Sequence, residues 1–186
     1  MRTIVTPPTV EPLLLPEAKL FLRVDGSEED SLITMLIAAA RRRAEFLTGR
    51  YLISQDWKIT LDGFPFEVLD PAVSPIQQVV GIAYYDKTNA QQTVVGSKLI
   101  QDQFQPLIYP PDNGWPQSYS RPDAVSFTLR LGYGDTGSSV PEEIKQWMLL
   151  RIATAFENRE ALASGLQELP RSHLDGLLDG CKVTRF

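Results

Sequence analysis

Val125-Ser126-Phe127-Thr128-Leu129-Arg130-Leu131-Gly132-Tyr133-Gly134-Asp135-Thr136-Gly137-Ser138-Ser139-Val140-Pro141-Glu142-Glu143-Ile144 contains the change of period on which the fold turns. Val125, Phe127, Leu129 and Leu131 alternate with Ser126, Thr128 and Arg130, the period of a strand with one face on a core and the other in water. This strand is expected to close a sheet. The glycines and serines of 132–139 make a flexible exit, and Gly132 with Gly134 lacks the spacing and the strand-to-helix turn of a phosphate-binding fingerprint. Pro141, Glu142 and Glu143 then open a helix: proline has no N–H to leave unpaired in the first turn, and the acids complement the positive end of the dipole. Ile144, Trp147, Met148, Ile152, Ala155 and Phe156 follow at helical spacing and read as core rather than as a cofactor box.

Upstream of this stretch the period is also two. Trp57, Ile59 and Leu61 alternate with Lys58 and Thr60, and Phe64-Pro65 introduces a further short strand through Val68. Val79 to Tyr85, the turn residues Asp86-Lys87-Thr88-Asn89, and Gln91 to Val95 spell a β-hairpin. Tyr109-Pro110-Pro111-Asp112-Asn113-Gly114-Trp115-Pro116 cannot continue a central strand, because its prolines remove ladder donors. It is expected to be a surface loop whose Trp115, beside Tyr109 and Tyr119, either forms a contact patch or folds back onto its own sheet.

Further upstream the period returns to helical. Pro16 and Glu17 start a short helix through about Leu22, and Ser27-Glu28-Glu29-Asp30 has the composition of a capped helix start. Leu32, Ile33, Leu36, Ile37, Ala40, Ala44 and Leu47 then recur at three- and four-residue spacing, and Gly49 supplies a left-handed cap. Downstream, Asn158 to Leu162 prolong the last helix, Ser164-Gly165 and Pro170 interrupt it, Leu174, Leu177 and Leu178 suggest a short amphipathic segment, and Gly180 to Phe186 an extended tail. The fold class that results is α+β. Residues 1–55 and 136–186 are assigned to a small helical bundle formed by the two ends of the chain, and 56–135 to a β-rich antiparallel insertion.

Composition narrows the chemistry. The chain has 186 residues, 43% of them apolar, enough for a real core. One cysteine, Cys181, and one histidine, His173, leave no internal disulfide and too few ligands for a conventional zinc site, so neither metal nor cofactor is expected. Cys181 with His173 alone does not make a nucleophilic centre. Asp102, Asp112 and Asp123 are loop acids with no base, nucleophile and oxyanion donor gathered around them, so no enzyme is expected. The opening Met1-Arg2-Thr3-Ile4-Val5-Thr6-Pro7-Pro8 has no signal-peptide core, and no apolar run is long enough to span a bilayer, which points to the cytoplasm and away from membranes. A net charge of −5 argues against wrapping nucleic acid. Arg41, Arg42, Arg43 and Arg50 nevertheless gather near the end of the long helix, where they complement its negative pole, face an acidic protein, or touch phosphate. A DNA-binding or DNA-packaging accessory module built on Arg41–Arg43 is the alternative function.

A resemblance joins these pieces. Leu20-Phe21-Leu22-Arg23-Val24-Asp25, Glu28-Glu29-Asp30, Leu32-Ile33, Ala38-Ala39-Ala40-Arg41, Thr48-Gly49-Arg50, Ser54-Gln55-Asp56-Trp57, Val140-Pro141-Glu142-Glu143-Ile144-Lys145-Gln146 and Arg185-Phe186 appear in order. In this the chain resembles the head-tail connector, or adaptor, proteins of tailed bacteriophages and prophages. The resemblance implies a structural virion protein, assembled in the host cytoplasm as a ring of about a dozen copies at the head-tail junction. Its partners would be other copies of itself, the portal protein, and a tail-completion or stopper protein, with DNA passing unread through the lumen. The resemblance also assigns portal docking to the C-terminal region, with Val183, Thr184, Arg185 and Phe186 as the contact residues.

Overall fold

The computed structural model describes residues 1–101, 106–158 and 175–183. It divides into a sheet unit, which includes Met1–Pro8 and Ser54–Tyr133, and a helical unit of Thr9–Ile53 and Gly134–Val183.

The sheet unit is built on β1 (Arg2–Thr6), β2 (Gln55–Leu61), β3 (Ile76–Tyr85) and β4 (Gln91–Thr93), a ribbon of β5 (Lys98–Ile100) and β6 (Leu107–Tyr109), and β7 (Val125–Leu131). Five of these form an antiparallel sheet in the order β1-β2-β7-β3-β4. β7 therefore does not close the sheet but lies in its centre. Trp57 pairs with Leu129 and Ile59 with Phe127 on one side, while Val79 and Ile82 pair with the same two residues on the other. The reason is burial: Val125, Phe127, Leu129 and Leu131 are all wholly buried, so the most apolar strand takes the position with ladders on both sides. The edges go to strands whose residues are all exposed, β1 and β4.

β1 has no announcement in the apolar pattern. Its β-branched Thr3-Ile4-Val5-Thr6 suits a strand; the Met1 ammonium on the Thr60 carbonyl (2.8 Å) adds to its pairing with β2, and Arg2 Nη2 on the Pro71 carbonyl (2.9 Å) ties it to the segment after β2. The β3–β4 hairpin forms at the expected place. Its turn is organised by one carboxylate: Asp86 accepts from the Thr88 hydroxyl (2.6 Å) and N–H (2.8 Å), the Ala90 N–H (3.1 Å) and Gln92 Nε2 (3.0 Å).

Phe64 to Val68 is not a strand. Pro65 lacks a ladder donor, and the two flanking aromatics part company: Phe66 is left in solvent, whereas the Phe64 ring meets Phe127 and Tyr84 edge-on. The β5–β6 ribbon is joined to the segment that follows by reciprocal 2.9 Å backbone bonds between Leu69 and Ile108.

The helical unit contains α1 (Leu15–Leu22), α2 (Asp30–Thr48) and α3 (Glu142–Glu157). α1 begins one residue before the expected Pro16, and the Glu17 carboxylate reaches back to the Leu14 N–H (2.7 Å). Ser27 does not cap α2 with its hydroxyl; it offers its carbonyl to the Asp30 N–H (3.2 Å), and Lys19 Nζ ties the start of α2 to α1 through Asp30 (2.6 Å) and the Gly26 carbonyl (2.7 Å). α2 buries Ile33, Ile37, Ala40, Ala44 and Thr48, and α3 buries Ile144, Trp147, Met148 and Ile152. These faces pack together, with α1 against both.

Gly49 ends α2 at φ +69°, the left-handed region where a side chain is strained. Gly137 is needed for a different reason: a Cβ there would lie 2.3 Å from the Pro12 carbonyl oxygen. Leu177 and Leu178 sit in a 3₁₀ turn, Gly176–Cys181, rather than on an amphipathic α-helix, so the chain becomes extended only at Lys182. Leu178 is wholly buried, and Trp147 Nε1 donates to Asp175 Oδ1 (3.2 Å). The expected continuation to Leu162, the interruptions at Ser164, Gly165 and Pro170, and Asp102, His173 and Leu174 lie outside the described residues.

Candidate assembly surfaces

The four arginines do not form one basic surface. Arg41 is turned inward: its Nε and Nη2 reach Glu11 (2.7 and 3.3 Å) and its Nη1 reaches Glu45 (3.1 Å). Burial by itself would lower the guanidinium pKa, but the hydrogen bond to Glu11 and the charges of Glu45 and Glu11 outweigh it and raise it. The acidic partner of Arg41 is thus in its own chain. Arg50 is buried as well, with Nε on the Cys181 carbonyl (2.6 Å). Only Arg42 and Arg43 face water; Arg42 Nε touches the Ala38 carbonyl (3.4 Å), and the Arg43 guanidinium lies 5.4 Å from the centre of the Phe46 ring.

The loop aromatics also separate. Trp115 folds back: it stacks on Phe64 (5.0 Å, 12° between planes), meets Phe127 edge-on (5.8 Å), and its Nε1 donates to the Glu67 carbonyl (3.0 Å). Tyr109 is half-buried on β6 opposite Lys98. Tyr119 keeps an exposed ring, anchored by its N–H on the Tyr85 carbonyl (2.8 Å). Of the three, Tyr119 alone remains an open contact residue.

In the tail, Val183 donates its N–H to the Thr48 carbonyl at the end of α2 (2.9 Å), while Thr184, Arg185 and Phe186 lie outside the described residues. The Cys181 thiol has its pKa pushed up by burial and then by the Glu143 charge, against the pull of Arg50. It stays a protonated, weak nucleophile. Asp112 is held by the Lys98 ammonium (2.6 Å) and Asp123 by the Arg121 guanidinium, and those hydrogen bonds lower both carboxyl pKa values. Neither is placed to act as a general acid. Among the described residues no group of three or more His, Cys, Asp or Glu comes together to hold a metal, and no helix is long and apolar enough to cross a membrane.

A set of residues that the core pattern does not single out is more telling. Leu14, Leu20 and Phe21 at α1, and Met35 and Phe46 on α2, all carry their apolar side chains into solvent. On α2 the signal was available as a second stripe, Met35, Ala39, Arg42 and Phe46, running opposite the buried one.

Comparison with known proteins bears on these surfaces. The chain aligns with solved structures of gene transfer agent particles. One is the neck of an empty particle computed with C6 symmetry (TM-score 0.85, 20% identity), and another is the virion of the native particle (0.85, 22%). The third is the neck of the native particle computed with C12 symmetry (0.78, 20%). Each alignment covers 100% of this chain and 97% of the other, so the fold is shared from end to end. No curated protein matches the chain. The family model of phage gp6-like head-tail connector proteins matches residues 13–110, more than half of the sequence, taking in α1, α2 and the strands from β2 to β6. The chain belongs to the phage gp6-like head-tail connector family, a family of structural connectors and not of enzymes.

Proposed function

We propose that the chain is one subunit of a homo-oligomeric ring in the neck of a phage or phage-like virion, joining the portal to the tail or a stopper protein. In this reading the helices from the two ends act as one bundle that forms the body of the ring, the β-rich insertion projects contact surface, and DNA passes through the lumen unread. The observation that carries it is the end-to-end likeness to chains of particle necks, together with membership of the connector family. The symmetries of those necks, C6 and C12, supply the expectation of a closed ring. A net charge of −5 suits a channel that must release DNA rather than hold it.

Nothing favours the alternative of a DNA-binding or packaging module on Arg41–Arg43. With Arg41 and Arg50 engaged inside the chain, Arg42 and Arg43 offer about two phosphate contacts per subunit, too few for firm binding at ordinary salt.

Portal docking is assigned to the end of the chain, Val183 to Phe186. Removing everything from Gly180 onward would be a poor test, since Cys181 and Val183 hold Arg50 and Thr48. Ending the chain after Val183 keeps those bonds and deletes only Thr184, Arg185 and Phe186. Electron microscopy of the full-length and shortened chains mixed with the cognate portal is the experiment. Rings of the full-length chain on the portal, and their loss on shortening, are expected. Absence of any ring with the full-length chain would overturn the reading, and undiminished docking of the shortened chain would overturn the assignment of the tail.

A further inference from the structure

The helical unit exposes apolar side chains in two places, beside arginines on α2 and beside a net acidic turn after α1. On α2, Met35, Ala39, Arg42 and Phe46 recur every three or four residues and so share one face, with Arg43 beside Phe46. Phe46 is 76% exposed. On α1, Leu20 is 83% exposed and Phe21 is exposed beside it, and the turn that follows carries one exposed cation, Arg23, and two exposed acids, Asp25 and Glu28. Those two acids make no hydrogen bond or ion pair with another described residue, and Arg42 and Arg43 have no carboxylate partner there. The α2 face is thus cationic and the α1 side acidic by two charges to one.

We infer that these two faces are the two halves of the contact between neighbouring copies of this chain: the cationic α2 face of one subunit seats on the acidic α1 face of the next. The inference rests on the ring reading above and adds to it which residues meet. Charge decides the occupant and the symmetry. If the α2 face met its own counterpart about a two-fold axis, Arg42 and Arg43 would oppose their own copies. A head-to-tail contact pairs Arg42 and Arg43 with Asp25 and Glu28, and repeats until it closes. Apolar burial of Leu20, Phe21, Met35 and Phe46 then drives the contact, and the charges fix its register.

The test exchanges signs. Arg42→Glu with Arg43→Glu gives a subunit acidic on both faces, and Asp25→Lys with Glu28→Lys gives one basic on both. Circular dichroism first establishes that each variant folds; sedimentation velocity and electron microscopy then follow assembly. Each variant alone is expected to self-associate at least a hundredfold more weakly than the wild type, on the order of what like charges across an interface cost. Mixed one to one, the two should alternate and form rings of even subunit number. The chain carrying all four substitutions should form rings by itself. A wild-type chain that forms no ring even with the cognate portal present overturns the ring reading and this pairing with it. Wild-type rings that survive either double substitution overturn the pairing alone, as does failure of both the mixture and the fourfold variant to restore rings. Rings that survive while portal binding is lost assign the faces to the portal instead.

Discussion

Arg41→Met is the substitution whose outcome separates a structural arginine from a contact arginine. The Arg41 side chain is 12% exposed, as is that of Glu45, and Glu11 is 29% exposed. Methionine keeps the apolar stem, so no cavity opens, but it withdraws three hydrogen bonds and leaves two carboxylates facing its site. Glu45 is the costlier of the two, because it remains largely buried; its other oxygen accepts from the Leu52 N–H (3.1 Å). Removing one partner of a fully buried pair costs ~3–5 kcal/mol, and a fully exposed pair is worth ~0–1. With Glu11 able to rehydrate, the expected loss is about 2–3 kcal/mol.

Urea unfolding followed at 222 nm reads this well, since α1, α2 and α3 all lie in the helical unit; the midpoint should fall by roughly 1 M. Arg42→Ala and Arg43→Ala should each stay within ~0.5 kcal/mol of the wild type. The effect should not depend on pH in the ordinary range. A guanidinium whose folded pKa is raised contributes fully below its unfolded value and loses that contribution only as pH rises through the folded one. If Arg41→Met leaves the midpoint unchanged while Arg42→Ala lowers it, the inward and outward assignments are reversed and the reasoning fails.

Three further outcomes are expected. Trp115→Ala should destabilise the sheet unit by about 2 kcal/mol, below the ~3–5 of a wholly buried tryptophan, and it should leave ring assembly intact if the side chain serves its own sheet; calorimetry and electron microscopy check the two halves. Gly137→Ala should destabilise more than Gly49→Ala in the same urea assay. The first puts a methyl into the Pro12 carbonyl, whereas the second meets only ordinary contact with Val183 and bears the ~1–2 kcal/mol of a left-handed residue. The Asp86 carboxyl pKa is lowered to about 2 by the Thr88 hydroxyl, the Gln92 side chain and the Ala90 and Thr88 N–H groups. The order it gives the β3–β4 turn is therefore present above the unfolded carboxyl pKa of ~3.9 and lost as pH falls towards 2. Amide exchange at Thr88 and Ala90 should quicken over that window, and Asp86→Asn should flatten the response.

How much of this was legible from residues alone depended on whether local pattern or global pairing decided the outcome. α2, α3, the β3–β4 hairpin and β7 were all legible, because period, proline position and turn chemistry are local. The place of β7 in the sheet was not. Alternation tells which side of a strand is buried, and nothing in it says whether one neighbour or two will supply the ladder. β1 escaped notice because all five of its residues are exposed and only the partner strand makes it a strand. The arginine cluster was visible as a cluster, but its division was hidden. Glu11 lies thirty residues before Arg41 and Cys181 far beyond Arg50, and a run of like charges does not disclose such distant partners.

That division gives the long helix its meaning in an assembly. A helix of 19 residues with arginines at 41, 42 and 43 necessarily points them in different directions, since each step turns the chain by about 100°. Arg41 lands on the inner side, where a charge is tolerated only with carboxylates supplied by Glu11 and Glu45. Arg42 and Arg43 land outside, among Met35, Ala39 and Phe46, where no carboxylate of the described chain meets them. An isolated domain has no use for a well-formed apolar stripe there, because exposed Phe46 and Met35 only add surface that water disfavours. The stripe and its two cations make sense once another surface covers them. The same unit exposes Leu20 and Phe21 beside Asp25 and Glu28, two acids to the one exposed cation Arg23. The folding problem and the assembly problem are thus solved by successive residues of one helix, and substitutions at 41 should disturb the first while those at 42 and 43 disturb the second.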